Sequence, residues 1–241
     1  MYQFDLLTCG SIYADEKFHF YGQEPGHMIH SPSYYALVRK DGENILIDSG
    51  FDAVDWVAAH IGMECKAEKT VEELLAEKGL TPADIHKVVF THLHWDHIGS
   101  IEKLTNAVFY CQKNELECAI NPPEGVIGYN ADLSEKLKAL QHRFVTVEGD
   151  QELFPGLWVI TTGGHSVGSQ AVIVETAYGK LAMPGDNIAR YRNLEENIPA
   201  GLVVDLQEAI TSVDKIRQNC DIILPSHDWQ TAERFAALAK S

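Results

Sequence analysis

Residues 92–97, with the sequence HLHWDH, hold the densest group of metal-binding side chains in this chain. They directly follow the apolar run 88–90, and a strand that ends in such a group presents it on a loop at the sheet edge. If the segment is extended, alternate side chains point one way, so its first, third and fifth residues should share a side. One ion rarely accepts all four side chains, so the pattern indicates two ions roughly 3.5–4 Å apart, as in two-metal hydrolytic sites.

Three further histidine or aspartate residues follow strand-like segments later in the chain. His165, Asp186 and His227 each come shortly after an apolar run and a glycine or proline. An apolar run followed by glycine or proline is typical of the end of a strand, so the three side chains should also lie at a sheet edge. The complete set of five histidines and two aspartates suits zinc, manganese, iron or cobalt better than calcium or magnesium. We therefore predict two divalent transition metal ions per chain, with zinc expected first.

The order of these motifs resembles the metallo-β-lactamase superfamily, whose signature is HxHxDH followed by a histidine, an aspartate and a final histidine. All seven positions are filled here, and the resemblance extends from about residue 34 to residue 229. It implies an α/β fold of four layers, an αββα sandwich in which two mixed β-sheets are flanked by helices. It also implies that His92, His94 and His165 bind one metal, that Asp96, His97 and His227 bind the other, and that Asp186 bridges both.

The resemblance also implies roles in catalysis. A hydroxide that bridges the two metals would attack the substrate carbonyl, because two cations lower the pKa of a shared water. Asp96 and Asp186 are the expected catalytic carboxylates, and Asp48, in the segment IDSG, is expected to orient the metal-binding loop. Tyr191, five residues after Asp186, is a further catalytic candidate that could donate to the substrate carbonyl or oxyanion. The alternative for Tyr191 is ordinary surface packing.

Within the superfamily, the chain is most similar to the N-acyl-homoserine lactonase-like group. The segments 91–99 (THLHWDHIG) and 164–170 (GHSVGSQ) carry this similarity. The chain departs from the group at Ala189, where the best-known lactonases have a tyrosine. The resemblance implies a metal-dependent ester hydrolase that opens an N-acyl-homoserine lactone or another small lactone.

Three alternatives make different demands on the sequence. A glyoxalase-II-like thioesterase would share the seven ligands but would also need a helical C-terminal domain, for which the residues after His227 leave no room. A flavodiiron-like oxidoreductase would replace His94 with glutamate and add a flavin domain. A non-catalytic binding protein is expected to have lost ligands, and none of the seven is missing. Lactone or other small-ester hydrolysis is therefore the favoured interpretation.

Composition limits the expected partners. The 241 residues, 45% of them hydrophobic, suit one domain over 1–241, with no apolar run of transmembrane length and no basic region of a signal peptide. Five scattered cysteines without a CxxC pair favour a reducing cytoplasm. A net charge of −16 argues against nucleic acid, which basic surfaces bind. We expect a small-molecule ester or lactone as partner, with no nucleic acid and no membrane.

Hydrophobic periodicity predicts the elements that position these residues. Strands are predicted near 3–9, 34–39, 44–48, 87–91, 107–111, 144–147, 157–161, 171–175, 180–183 and 221–225. Helices are predicted at 52–60, 70–79, 99–105, 112–120, 133–142 and 205–219. Irregular segments are predicted at 10–33, 121–130 and 187–204, and such long loops beside a site commonly form substrate walls. The histidines of the first of these loops, His19, His27 and His30, are expected to be solvated.

Overall fold

The strands form two mixed sheets in the residues that the computed structural model describes, which are 1–52, 54–238 and 240. The strands are β1 (Gln3–Asp15), β2 (Met28–Lys40), β3 (Glu43–Ile47), β4 (Glu64–Ala67), β5 (Lys87–Val89), β6 (Val108–Gln112), β7 (Phe144–Val147), β8 (Gln151–Phe154), β9 (Leu157–Thr161), β10 (Gln170–Thr176), β11 (Gly179–Met183) and β12 (Ile222–Ile223). The α-helices are α1 (Val54–His60), α2 (Val71–Ala76), α3 (Lys113–Ile120), α4 (Ala131–Leu140), α5 (Tyr191–Glu195), α6 (Leu206–Asn219) and α7 (Trp229–Leu238).

Strand order brings the predicted site segments to common edges. The first sheet has the order β4-β1-β2-β3-β5-β6-β7, and the second has the order β12-β11-β10-β9-β8. β3 and β5 are parallel neighbours, so the loops that follow them leave from the same edge. In the second sheet β9, β10 and β11 are antiparallel, and β12 runs parallel to β11. This topology places residue 48 beside residues 91–97.

Alternation along the strands produces three apolar layers. On β2, Leu37 faces the helices, whereas Val38 faces the second sheet, because successive side chains point to opposite faces. Between the sheets, side chains of the first sheet contact Val159, Val172 and Leu181 of the second. Val213 and Ile216 of α6 cover the outer face of the second sheet. Helices therefore flank two stacked sheets, which confirms the predicted four-layer αββα sandwich.

Helix α2 begins with a capping box, in which the first and last residues of a Thr-x-x-Glu segment cap each other. Thr70 accepts from the backbone N–H of Glu73, and the Glu73 carboxylate accepts from the backbone N–H of Thr70. This reciprocal pair satisfies two of the donors that a helix N-terminus leaves unpaired.

None of the helices within the described ranges combines the length and the apolar character that a membrane crossing requires.

Two predicted elements are wrong. Residues 99–105 form turns rather than a helix; the Leu104 N–H reaches back four residues to Ser100, but one such turn is too short to propagate. Half of the predicted loop 10–33 is strand, because β1 and β2 pair as far as Asp15 and Met28 and leave 16–27 outside the ladder. The short strands β4 and β8 and the helices α5 and α7 were not predicted.

Candidate metal centre

The seven predicted metal ligands all lie after the ends of strands, on loops or, for Asp186, on the 3-10 helix Gly185–Ile188. Residues 92–97 follow β5, His165 lies between β9 and β10, Asp186 follows β11, and His227 follows β12. All seven side chains are buried or largely buried. The structure therefore brings together residues that are 135 positions apart in sequence, from 92 to 227.

The ligand atoms form two adjacent clusters, each with its atoms within 4.8 Å of one another. The first cluster contains His92, His94 and His165, and the second contains Asp96, His97, Asp186 and His227. In the first, His94 Nδ1 lies 3.0 Å from His165 Nε2. In the second, Asp96 Oδ2 lies 3.5 Å from His227 Nε2. This is the same grouping that the family resemblance implies.

Asp186 faces both clusters. Its Oδ1 lies 3.3 Å from His97 Nε2 and 3.1 Å from His227 Nε2. Its Oδ2 lies 3.7 Å from His165 Nε2, on the side of the first cluster. The hydroxyl of Ser226 donates to Oδ1 at 2.7 Å and fixes the carboxylate in this orientation. Two oxygens that face two clusters are the arrangement that a bridging carboxylate requires.

Asp96 does not share a side with His92 and His94. The backbone N–H of His97 donates to the carbonyl of His94 at 3.0 Å, so the second half of the hexapeptide is a turn. The turn carries Asp96 and His97 together into the second cluster. The expectation based on an extended segment is therefore wrong for Asp96.

Hydrogen bonds to backbone carbonyls orient two of the imidazoles. Nδ1 of His165 lies 2.8 Å from the carbonyl oxygen of Leu202, and Nδ1 of His227 lies 2.9 Å from that of Pro32. A carbonyl only accepts, so each Nδ1 carries a proton and each Nε2 is the nitrogen that faces the cluster and could bind a metal. His94 differs, because its Nδ1 faces the cluster and Gly128 lies close against the other edge of its ring.

Two buried nitrogens show that the clusters fit metal ions. Within the described ranges, His92 Nε2 and His97 Nε2 are buried and have no hydrogen-bond partner. A buried nitrogen without a partner is costly unless something else binds it, and an imidazole nitrogen can donate its lone pair to a transition metal ion. Burial holds the pKa values of His92 and His94 well below the usual value, so both rings are neutral, the form that binds metal.

Asp48 lies directly behind the second cluster. Its Oδ1 accepts from the backbone N–H of Thr91 at 2.7 Å, and its Oδ2 accepts from the Thr91 hydroxyl at 2.9 Å and from His97 Nδ1 at 2.8 Å. Asp48 has a φ of 62°, a conformation that only a well-determined surrounding holds in a residue other than glycine. The structure thus places Asp48 where it can orient His97 and the metal-binding loop.

Glu115 has a corresponding position behind the first cluster, and the sequence analysis missed it. It is completely buried on α3. Its two oxygens accept four hydrogen bonds of 2.7–2.9 Å, from the backbone N–H groups of Leu93 and Gly168 and the hydroxyls of Tyr129 and Ser166. Leu93 lies on the loop that carries His94, Ser166 and Gly168 lie on the loop that carries His165, and Tyr129 lies between α3 and α4. A glutamate near the start of an amphipathic helix gives no sequence signal for such a role.

Tyr191 does not reach the clusters. Its hydroxyl donates to the carbonyl of Ile223 at 3.2 Å, and the guanidinium of Arg234 lies 3.7 Å from its ring centroid. Tyr191 begins α5, and this start directs the side chain toward α7 instead of the cavity. The expectation that Tyr191 donates to a substrate is therefore corrected in favour of the packing alternative.

A cavity of about 480 Å³, partly open to solvent, lies over both clusters. Its polar floor includes His94, Asp96, His165, Asp186 and His227. Its wall is largely apolar and is formed by Ile12, Phe18, Ile61, Met63, Ile127 and Leu202.

His19 also lines this cavity, contrary to the expectation that it is solvated. Only 7% of its surface is exposed, and burial lowers its pKa to about 3. His27 and His30 of the same segment are exposed, as expected. His19 differs from His27 and His30 because the pairing of β1 with β2 folds residues 16–27 back over the site. The sequence pattern did not predict this strand pairing.

Comparison with known proteins agrees with the fold and the site. A family model of the metallo-beta-lactamase superfamily matches residues 29–227. The N-acyl homoserine lactonase AiiA of Bacillus thuringiensis subsp. kurstaki is 28% identical over 207 residues, covering 80% of this chain and 78% of the relative. These matches confirm the resemblance seen in the motifs.

Two solved structures show the same fold. An N-acyl homoserine lactone hydrolase, with the product N-hexanoyl-L-homoserine bound at its catalytic metal centre, has a TM-score of 0.82 and 23% identity over 96% of this chain and 95% of that one. AidC, a dizinc quorum-quenching lactonase in complex with a product, has a TM-score of 0.74 and 19% identity over 95% and 88%.

Proposed function

Because the chain belongs to the metallo-beta-lactamase superfamily, we propose that it is a metal-dependent hydrolase that opens lactones. The observation that carries the proposal is the position of Asp186, whose two carboxylate oxygens face two adjacent metal-binding clusters. Two divalent cations held there would lower the pKa of a water toward neutrality and would polarise an ester carbonyl, which is the chemistry that ester hydrolysis needs.

The proposed ligands are those that the geometry groups. His92, His94 and His165 would hold one cation, Asp96, His97 and His227 the other, and Asp186 both. Zinc is the proposed metal, because nitrogen-rich donor sets suit it and AidC is a dizinc protein. Asp96 lines the cavity floor, so we propose that its carboxylate accepts the proton released by the attacking water.

The cavity supports a small ester with an apolar substituent. Its wall of aliphatic and aromatic side chains lies directly beside the clusters, so an acyl chain can pack there while the ester reaches the metals. Product-bound relatives contain N-acyl homoserines, and we propose an N-acyl-homoserine lactone as the first candidate and another small lactone as the second. A lactone suits two cations because the leaving alkoxide stays tethered beside the site.

Charge disfavours phosphate-rich substrates. In the described part of the chain, the residues that line the cavity include no lysine or arginine, and the net charge of the whole sequence is −16.

For the location we propose the cytoplasm, since all five cysteines are free thiols, the form that a reducing compartment maintains.

A substrate panel tests this proposal. The metal-loaded protein is assayed with N-acyl-homoserine lactones of several chain lengths, simple lactones, S-lactoylglutathione, a β-lactam and a phosphodiester. At least one lactone should exceed the three other classes by tenfold or more in kcat/KM, about 1.4 kcal/mol in transition-state binding. An Asp186→Ala preparation, purified in parallel, controls for contaminating hydrolases. A thioester or phosphodiester as the best substrate, with every lactone inert, would overturn the lactonase assignment.

A further inference from the structure

His19 is a polar side chain in the cavity that the metal clusters do not use. It follows the turn 16–18, and the carboxamide of Asn193 donates to its backbone carbonyl at 2.9 Å, which fixes the segment over the site. Its ring centroid lies 5.7 Å from that of His227, so it stands beside the second cluster without belonging to it. A buried imidazole in this position has a defined neighbour on only one of its two nitrogens.

That neighbour is the hydroxyl of Ser31, a fully buried residue of β2. Ser31 Oγ lies 3.2 Å from His19 Nε2, and Arg190 donates to the same Oγ at 3.0 Å. The guanidinium can only donate, so Ser31 accepts from Arg190 and has its own hydroxyl proton to give. Nε2 of the imidazole is the acceptor available to that proton, so the Ser31 hydroxyl and Nε2 are both hydrogen-bonded.

This chain of hydrogen bonds determines the tautomer of His19. If Nε2 accepts from Ser31, the ring proton of the neutral imidazole is on Nδ1. Within the described residues Nδ1 has no hydrogen bond, and it is not among the buried unpaired atoms, so it remains accessible from the cavity that His19 lines. The result is a single N–H donor in an otherwise apolar wall, beside Phe18.

We propose that His19 Nδ1–H donates a hydrogen bond to an acceptor oxygen of the bound ester, and that Ser31 and Arg190 set the tautomer that makes this possible. The inference rests on the proposed hydrolase function and adds a determinant of specificity to it. It selects substrates that present an acceptor, such as a carbonyl oxygen, toward the second cluster. Substrates with a donor or an alkyl group there leave Nδ1–H unpaired and bind less well.

Two variants of His19 separate the donor from the shape of the ring. Asparagine can place its amide nitrogen where Nδ1 lies, whereas leucine supplies bulk without a donor. We expect His19→Leu to lower kcat/KM about tenfold on the best substrate of the panel, whichever class that is, and His19→Asn to recover most of the loss. Metal content should stay at the wild-type value in both. His27→Leu, which removes an exposed histidine from the same loop, should leave kcat/KM unchanged.

Nuclear magnetic resonance tests the tautomer without an activity assay. In the ¹⁵N-labelled zinc protein, long-range correlations of the His19 ring, assigned by comparison with His19→Asn, should show a protonated Nδ1 and an unprotonated Nε2. Ser31→Ala should shift the ring toward the other tautomer. A protonated Nε2 in the wild type, or a fully active His19→Leu with wild-type metal content, would overturn the inference. Failure of every lactone with a retained effect of His19 would instead contradict only the lactonase assignment.

Discussion

The two metal-binding clusters are adjacent but are built differently. The first consists of three imidazoles, and Asp186 Oδ2 lies 3.7 Å from its His165 Nε2. The second combines two imidazoles with Asp96 and Asp186. The first would therefore hold a cation mainly through the geometry of its nitrogens, and the second through negative charge as well. The difference indicates that the two ions need different support from the surrounding protein.

The support behind each cluster follows this division. Asp48, behind the second, accepts three hydrogen bonds and fixes the ring of His97. Glu115, behind the first, accepts four hydrogen bonds from groups other than the ligand imidazoles, and three of these bonds join the two loops that carry His94 and His165. Orienting one ring and fixing two loops are separate functions, and variants can distinguish them.

Asp186→Asn should have the largest effect, because the carboxylate of Asp186 faces both clusters and is the proposed shared ligand. The amide keeps the shape but removes the negative charge that offsets the repulsion between two cations. We expect occupancy of the second ion to fall and turnover to fall by orders of magnitude, as measured by elemental analysis and steady-state kinetics. Wild-type turnover with two bound metals would show that Asp186 does not bridge.

Asp48→Asn and Glu115→Gln should have smaller effects that differ between the clusters. Changes in the residues that orient ligands cost about 10–100-fold in metal affinity or activity. Asp48→Asn should lower the affinity of the second cluster for its metal ion. Glu115→Gln should lower the affinity of the first cluster, because the amide nitrogen of the new side chain would face two hydrogen-bond donors. Metal titrations followed by the Co²⁺ absorption of each cluster measure this, and equal weakening of both ions in both variants would contradict the division.

Tyr191→Phe should have the smallest effect on activity. The lost hydroxyl donates only to Ile223, so the free energy of unfolding should fall by about 1 kcal/mol while kcat/KM stays within about twofold of the wild type. Urea denaturation and the lactone assay measure the two quantities. A large loss of kcat with unchanged stability would restore Tyr191 as a donor to the substrate.

The sequence named the side chains that cluster because each lies close to a strand end. A histidine or aspartate after an apolar run and a glycine or proline can be recognised without knowledge of distant contacts, and the structure brings His165, Asp186 and His227 together with residues 92–97. The αββα layers were likewise predicted through the family resemblance. Asp96 was misplaced by the extended-segment argument because a single hydrogen bond, from His97 to His94, turns the loop.

The surrounding side chains could not be predicted because their roles depend on long-range packing. Glu115 contacts Leu93 and Ser166 across 22 and 51 positions, and nothing in the sequence of its helix marks it as buried. The proposed role of His19 depends on the pairing of two long strands. The sequence did not predict this pairing, because the glycines and prolines of 10–33 indicated a loop. Tyr191 was assigned by its distance from Asp186, yet the start of α5 turned its side chain away.

Metal stoichiometry tests the central claim of two clusters most directly. Elemental analysis of protein purified without chelator should give close to two transition metals per chain. His227→Ala removes a ligand of the second cluster only, so its metal content should fall toward one while the first cluster stays occupied. A single tightly bound metal in the wild type, with no change in His227→Ala, would contradict the dinuclear site.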